Sequence, residues 1–294
     1  ILSLKNIHSV LNIANQASVK ITEIYARYCS MSSQQSQEMW EIKQDKSPLT
    51  VADTAANQII VQALMQLTPS IPVVTEEDSS SWDLRNSAQD FWLIDPLDGS
   101  KEFISKNDEF TVNIALVSQG KTVFGVVQAP ILNKVYWGGK SMGSFSSVPN
   151  QSSTPEVLNA SQLNLNQLEE HTCLKIIASK SHMSTETQLL IDRFKNSQLV
   201  QAGSSLKFCR VAENQADLYP RLAPTCEWDT AAAQGVLEGA GGEVIGLDGQ
   251  PFTYPARESL LNPFFLALPR TAAWRQALID LARRMHNNHP EIHD

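Results

Sequence analysis

The sequence predicts a mixed fold, α+β giving way to α/β, in which an antiparallel N-terminal half precedes a layered, alternating C-terminal half. Three observations carry this. A long amphipathic window opens the chain, four short apolar runs lie between residues 71 and 128 with a hairpin signal joining the last two, and strand-like and helical windows alternate beyond residue 172. The 294 residues, 42% hydrophobic and 18% charged, suffice for one large or two medium domains with a sizeable core.

Leu4, Ile7, Leu11, Ala14, Ile21 and Tyr25 recur at helical spacing, interrupted only by the small Ser18, so residues 3–28 read as one amphipathic helix packed on a sheet. The polar stretch SMSSQQSQE (30–38) breaks that period and reads as a loop. SPLTVAD follows, and Ala55, Ile59, Ile60, Ala63, Leu64 and Leu67 restore the helical period over 54–67. Strands are expected at 71–75, 91–95, 110–117 and 122–128, with SQGK turning the last two into a hairpin. Residues 141–172, rich in Ser, Asn, Gln and Pro, read as an irregular connection at a domain boundary. This gives an N-terminal α+β domain over 1–145, carrying most of the candidate ligands, and a C-terminal α/β domain over 146–294. In the second domain, strands at 174–178, 216–219, 243–246 and 264–268 alternate with helices at 184–196, 205–213, 229–240 and 271–286.

Composition removes several function classes. A formal net charge of -8 with no clustered Lys/Arg stripe argues against nucleic acid as a partner. Cys29, Cys173, Cys209 and Cys226 lack CxxC spacing, so a zinc site or a disulfide framework is not indicated and a reduced, intracellular protein is expected. The opening ILSLKNIHSV lacks the basic and apolar regions of a signal segment, and no apolar run approaches the ~18 residues of a membrane span. Opening at Ile1 leaves room for residues upstream. His8, His171, His182, His286, His289 and His293 do not cluster with the acids and read as surface or capping residues.

The residues that carry chemistry are acids where apolar runs stop. VVTEED ends in Glu76, Glu77 and Asp78, WLIDPLDGS in Asp95 and Asp98, and CEWDTAAAQG sets Asp229 at a helix start. Singly, each reads as a solvated turn residue or an N-cap. Together they need cations, because several carboxylates at buried sheet ends are costly unless neutralised. Hard oxygen donors favour Mg²⁺, with Mn²⁺ as a substitute. Pro96 restricts the backbone so that Asp95, the Leu97 carbonyl and Asp98 can face one region, and Gly99 permits close approach of a ligand. GSKEF reads as a helix opening whose amides near Ser100 suit phosphate, and AGSSLKFCRVA is a second such turn with Lys207, or an ordinary serine cap.

DKSPLTVAD (45–53), EED (76–78), DPLDGSKEFI (95–104) and WDTAAA (228–233) stand in the order and spacing of the inositol monophosphatase-like, Mg²⁺-dependent, lithium-sensitive phosphatases, and the resemblance spans nearly the whole chain. Within that superfamily, residues 98–117, 203–221 and 255–265 are similar to the 3′(2′),5′-bisphosphate nucleotidase branch. The resemblance implies an αβαβα sandwich and removal of the 3′-phosphate from adenosine 3′,5′-bisphosphate, with its sulfated nucleotide as a further substrate. It implies two or three Mg²⁺ ions on Glu76, Asp95, the Leu97 carbonyl, Asp98 and Asp229, with Asp53, Ser100 and Glu76 serving the attacking water. Substrate contacts would come from Glu76, Leu97, Asp98, Gly99, Ser100, Lys101, Ser204, Ser205, Lys207, Arg221, Asp229 and Arg257. The implied setting is cytoplasmic, with weak peripheral association at the inner membrane admitted and no integral segment. Ser100 departs from the family's usual threonine, and Ala233 and Gln234 replace its usual glycine and histidine. Glu77 reads equally as an auxiliary base or a bystander. The competing readings are an inositol monophosphatase or a fructose bisphosphatase in the same fold, and a non-catalytic sensor that binds metal or phosphorylated ligand.

Overall fold

The computed structural model describes residues 3–43, 48–151, 153–160, 173–179, 183–270 and 274–287. Asp45, Lys46 and Ser47 of the first motif, His171, His182, His289 and His293, and the first three residues of the expected C-terminal helix lie outside the described residues.

Helix α1 (Leu4–Ser30) is capped by Ser3, whose side chain accepts from the Asn6 amide, and it buries the stripe from Ile7 through Ala14 and Ile21 to Tyr28. It packs beside α3 (Val51–Leu67), which Thr50 and Asp53 start with a reciprocal capping box. Between them lie the short α2 (Ser33–Gln37) and the two-stranded ribbon β1 (Trp40–Ile42) with β2 (Pro48–Thr50). Helix α2 falls in the stretch read as a loop. It is polar throughout, and its N-terminus is held by the Gln35 side chain on the Ser32 amide, so no hydrophobic period announces it.

Seven strands follow in order across one sheet: β3 (Val73–Thr75), β4 (Asp90–Asp98), β5 (Thr111–Ser118), β6 (Lys121–Ala129), β7 (Lys134–Gly139), β8 (Gly143–Ser147) and β9 (Glu156–Val157). Only β3 and β4 run parallel. The β5–β6 turn puts Gln119 and Gly120 both at positive φ, the conformation a two-residue hairpin requires. The short α4 (Leu84–Ser87) precedes β4, and α5 (Ser100–Ile104) follows it.

Alternation along β4 shows why its residues are apolar at every step. Trp92 and Ile94 face the α1/α3 layer, whereas Phe91 and Leu93 join the opposite core, so both faces are covered. That second layer is α7 (Leu206–Ala212) and α8 (Glu227–Gly239). Beyond it lie parallel β10 (Lys175–Ser179) and β11 (Gln198–Ala202), joined by an Ile176–Leu218 bridge to antiparallel β12 (Tyr219–Arg221), β14 (Phe265–Pro269) and β13 (Gly242–Gly246). Helices α6 (Thr185–Asp192) and α9 (Arg275–Asn287) close the far side through Leu190, Ile191, Leu278 and Ile279. The layers are α, β, α, β, α. Among the described residues, no helix is long and apolar enough to cross a membrane.

The boundary expected at 145/146 runs through β8, and the first sheet continues to Val157. One core includes Leu93 and Val117 with Trp228, Ala232 and Phe265, so the two halves share their middle layer. Serine and glycine supply little hydrophobic pattern in β8, which is why the sequence reads that segment as irregular.

Candidate active site and metal centre

Strand β4 ends in a bulge. Asp95 pairs with Asn113 and Asp98 with Thr111, so three steps on one strand oppose two on the other. In a regular strand, residues three apart point to opposite faces; the extra residue cancels that alternation and turns both aspartates the same way. Pro96 suits the interruption because it has no N–H to offer the ladder. Helix α8 brings the third acid: the Cys226 amide donates to Asp229 Oδ2 at 2.8 Å, fixing the carboxylate at the third helical position. Asp95, Asp98 and Asp229 each place an oxygen within 4.8 Å of the others.

Every acid there is held above its ordinary pKa. Asp95, fully enclosed, is raised by burial and then by Glu76, Asp98 and Asp229. Burial and Asp98 push Asp229 up to about 8. Asp98 is raised by burial even though Lys207, Ser205 and Asn113 stabilise its anion. Such a cluster is short of positive charge, and its donors are carboxylate oxygens without thiolate or imidazole, which fits a hard divalent cation.

Glu76 continues the β3–β4 ladder through its amide to the Ile94 carbonyl at 3.2 Å. Its carboxylate accepts from Lys43 Nζ at 2.8 Å, and Lys43 reaches Glu77 at 2.7 Å as well. Burial opposes the Lys43 charge, but Glu76 and Glu77 overcome it and raise its pKa. Glu77 is pushed up to about 7 by burial and by Glu76. Lys43, which the sequence reading passed over, is therefore the cation paired with Glu76 among the described residues.

On the other flank, Asp53 is 1% exposed and accepts from the Thr50 amide at 2.8 Å and from Ser100 Oγ at 2.7 Å. The Ser100 hydroxyl also lies 3.4 Å from the Leu97 carbonyl. Burial raises the Asp53 pKa against these bonds. Gly99, at φ +103°, starts α5; a Cβ there would lie 2.4 Å from Ser204 Oγ, so only glycine fits both the backbone and the contact.

The serine turn braces the acids. Ser204 Oγ reaches the Asp98 carbonyl at 2.7 Å, and Ser205 Oγ sits 2.9 Å from Asp98 Oδ2 and 2.7 Å from the Asp229 carbonyl. Asn113, also absent from the sequence reading, donates to Ser205 Oγ at 2.8 Å and to Asp98 Oδ2 at 3.3 Å. Beside them a pocket of about 120 Å³ is lined by Asp98, Glu102, Ser179, Lys207, Tyr219, Arg221 and Asp229, among others. Lys207 is buried, donates to the Ser204 carbonyl at 2.6 Å, and stands 5.6 Å from the Tyr219 ring. Burial brings its pKa down to about 8, against the pull of Asp98. Arg221 lines the same pocket and donates to the Pro224 carbonyl at 2.9 Å.

Two expected substrate contacts are placed differently from Lys207 and Arg221. Arg257 is turned to Glu227, with Nε at 3.0 Å from Oε1, and Lys101 is exposed on α5 outside that pocket lining. Gln234 bonds to Glu238, the Phe252 carbonyl and Tyr254, so this departure from the family pattern serves the packing of α8. A lysine just after a short strand and an asparagine inside another carry no spacing signal, which is why Lys43 and Asn113 escaped notice.

The arrangement can hold a hard cation between acids, hold an anion beside Lys207 and Arg221, and direct a hydroxyl through Asp53. The sequence profile of the inositol monophosphatase family matches residues 6–285. The chain is 44% identical over 225 residues to the 3′(2′),5′-bisphosphate nucleotidase CysQ of Salmonella typhimurium, covering 76% of this chain and 86% of that one. It is 33% identical over 272 residues to CysQ of Haemophilus influenzae, with coverage of 92% and 95%. The crystal structure of CysQ from Bacteroides thetaiotaomicron superposes with a TM-score of 0.75 at 34% identity, over 90% of this chain and 97% of that one. The Thermotoga maritima IMPase, at 19% identity and a TM-score of 0.72 over 97% and 99%, shares the fold. With a bulged strand supplying two aspartates, a capped helix supplying the third, and relatives alike over most of their length, the chain belongs to the inositol monophosphatase family.

Proposed function

We propose that the chain is a Mg²⁺-dependent 3′(2′),5′-bisphosphate nucleotidase that releases the 3′-phosphate of adenosine 3′,5′-bisphosphate to give AMP, and accepts the corresponding 5′-phosphosulfate. The relatives named CysQ support the substrate class. The observation that carries the chemistry is the 2.7 Å hydrogen bond from Ser100 to Asp53 beside the three-carboxylate cluster. A site that only bound metal would have no use for it.

Glu76, Asp95, the Leu97 carbonyl, Asp98 and Asp229 would hold two or three Mg²⁺ ions, with Mn²⁺ as a substitute. When bound, the cations supply charge neutralisation at the phosphate and a water nucleophile at neutral pH. Asp53 accepts the Ser100 hydrogen bond, so that Ser100 passes its own proton to the Asp53 carboxylate as its oxygen takes one from the attacking water. Thr50 holds the other Asp53 oxygen, so the carboxylate keeps one orientation. The Gly99 and Ser100 amides face the transferred phosphate, and Lys207 with Arg221 receives the second one. A cytoplasmic setting belongs to the same reading, in which none of the four cysteines is in a disulfide.

Phosphate release from adenosine 3′,5′-bisphosphate, inositol 1-phosphate and fructose 1,6-bisphosphate, each with Mg²⁺ and with chelator, tests the proposal. Mg²⁺-dependent release favouring the bisphosphate nucleotide is expected. A preference for either sugar ester would reassign the substrate, and no release from any ester would favour a sensor.

A further inference from the structure

Beside the metal centre lies a buried ion-pair network whose cost in isolation calls for an explanation. Glu227, the first residue of α8, is 0% exposed. Its Oε1 accepts from Arg257 Nε at 3.0 Å, with Arg257 Nη2 in ion-pair contact at 2.9 Å, and its Oε2 faces Arg85 Nη1 at 3.4 Å. Arg85, 4% exposed on α4, donates through Nη2 to the carbonyls of Arg257 at 2.6 Å and Ser259 at 3.3 Å. The Glu227 amide donates to the Leu260 carbonyl at 2.9 Å, and Asn262 Nδ2 reaches the Cys226 carbonyl at 2.6 Å. The first turn of α8 is thus fastened to the loop around residues 257–262.

The same network reaches the other end of the centre. Trp82, three residues before Arg85, donates its indole N–H to the Thr75 carbonyl at 2.9 Å and packs on Trp228 with ring centroids 5.4 Å apart. Thr75 precedes Glu76, and Trp228 precedes Asp229. Two short links, one aromatic and one ionic, therefore join the segment that follows Glu76 to the helix turn that carries Asp229.

Buried ion pairs add little net stability relative to well-packed apolar residues, because desolvation offsets the attraction. Their directional bonds do select one geometry. Asp229 Oδ2 is held by the Cys226 amide, so its other oxygen goes wherever the first turn of α8 goes. From this we infer that Arg85 and Glu227 are positioning residues that set the distance between the Glu76 and Asp229 ends of the metal centre, and so its affinity for divalent cations. The inference rests on the reading that the acidic cluster binds such cations.

The test uses the full chain with Glu227→Gln and the double variant Arg85→Met/Glu227→Leu, which removes both buried charges together. Thermal unfolding, direct Mn²⁺ binding by electron paramagnetic resonance, and kcat and KM at saturating Mg²⁺ are measured. The single variant is expected to unfold at lower temperature, and the double variant to recover most of that loss. Both are expected to bind Mn²⁺ at least about tenfold more weakly, the range found when residues orienting metal ligands are removed, with KM for the nucleotide within about twofold of wild type. Arg275→Gln, which breaks a pair with the remote Glu243, should leave Mn²⁺ affinity unchanged. A double variant with restored stability and wild-type Mn²⁺ affinity would show the network to be purely structural and overturn the inference. Should the double variant not fold, Arg85→Lys decides instead: weaker Mn²⁺ binding upholds the inference and unchanged binding overturns it. A wild-type chain that binds no Mn²⁺ defeats the metal reading and the inference with it, whereas wild-type binding matched by every variant defeats the inference alone.

Discussion

Ser100 is one position where the family's pattern and this chain differ, and the geometry says what the difference costs. A threonine would add a methyl that fixes the side-chain rotamer; here the Asp53 and Leu97 oxygens set the hydroxyl's direction instead. Ser100→Thr should therefore leave kcat within about twofold, whereas Ser100→Ala, which removes the relay, should lower it by about 10²-fold, the usual worth of one acid–base step. Phosphate release under saturating substrate decides, and an alanine variant losing less than fivefold would remove Ser100 from the mechanism. Lys207 and Arg257 separate in the same way. Lys207→Ala should raise KM for adenosine 3′,5′-bisphosphate by about tenfold, as expected for one charge-assisted bond. Arg257→Ala should instead lower thermal stability without altering the preference for bisphosphorylated over monophosphorylated nucleotides. The reverse outcome would exchange their roles. In the sequence these two basic residues looked alike, because spacing cannot reveal that one faces a pocket and the other a buried glutamate.

At the scale of elements, the β4 bulge and the small-residue face of α8 are the two features that assemble the centre. Gly125 on β6 lies so close to α8 that a Cβ would meet the Ala232 carbonyl oxygen at 2.0 Å, and one at Gly235 would meet the Thr122 methyl at 2.8 Å. Since Asp229 rides on α8, pushing the helix off the sheet shifts a ligand as well as the core. Gly125→Ala should cost about 2 kcal/mol, a typical penalty for overpacking, and should lower Mg²⁺-dependent activity at temperatures where the chain remains folded. Unfolding curves and activity measured together test this, and an unchanged melting temperature would mean that the backbone yields. The long α1, α3 and α8 were legible because apolar residues recur at helical spacing, and strands β4 to β6 because each is a short, nearly continuous apolar run. By contrast α2, β8 and β11 were not, since their polar, short or exposed residues owe their conformation to a cap or a neighbouring strand. The acids were legible at the ends of apolar runs, but the bulge that turns Asp95 and Asp98 to one side exists only in the pairing with β5.

Across the whole molecule, the acidic balance of -8 and the crowded carboxylates make stability a function of pH and cation together. Asp229 is raised to about 8 and Glu77 to about 7, with Asp95, Asp98 and Glu76 also raised, all chiefly by burial. A carboxyl whose folded-state pKa stands above its unfolded value, near 4, binds its proton more tightly when folded. Its contribution to stability is therefore full below about pH 4 and is lost as pH rises through the folded value. The metal-free chain should lose stability between about pH 5 and pH 8 for that reason. Buried Glu227 and half-buried Glu238 are raised too and add to the same slope, but they lie outside the proposed ligand set, so only the cluster should respond to added metal. Divalent cations bind the deprotonated acids and displace those protons, so their stabilisation grows over the same window. Melting temperatures in chelator and in excess Mg²⁺ should accordingly differ little at pH 5 and most at pH 8, and Asp229→Asn should flatten the difference. An equal gain from Mg²⁺ at both pH values would mean that the ion binds elsewhere, because no group titrating in this range would then be giving up its proton to it.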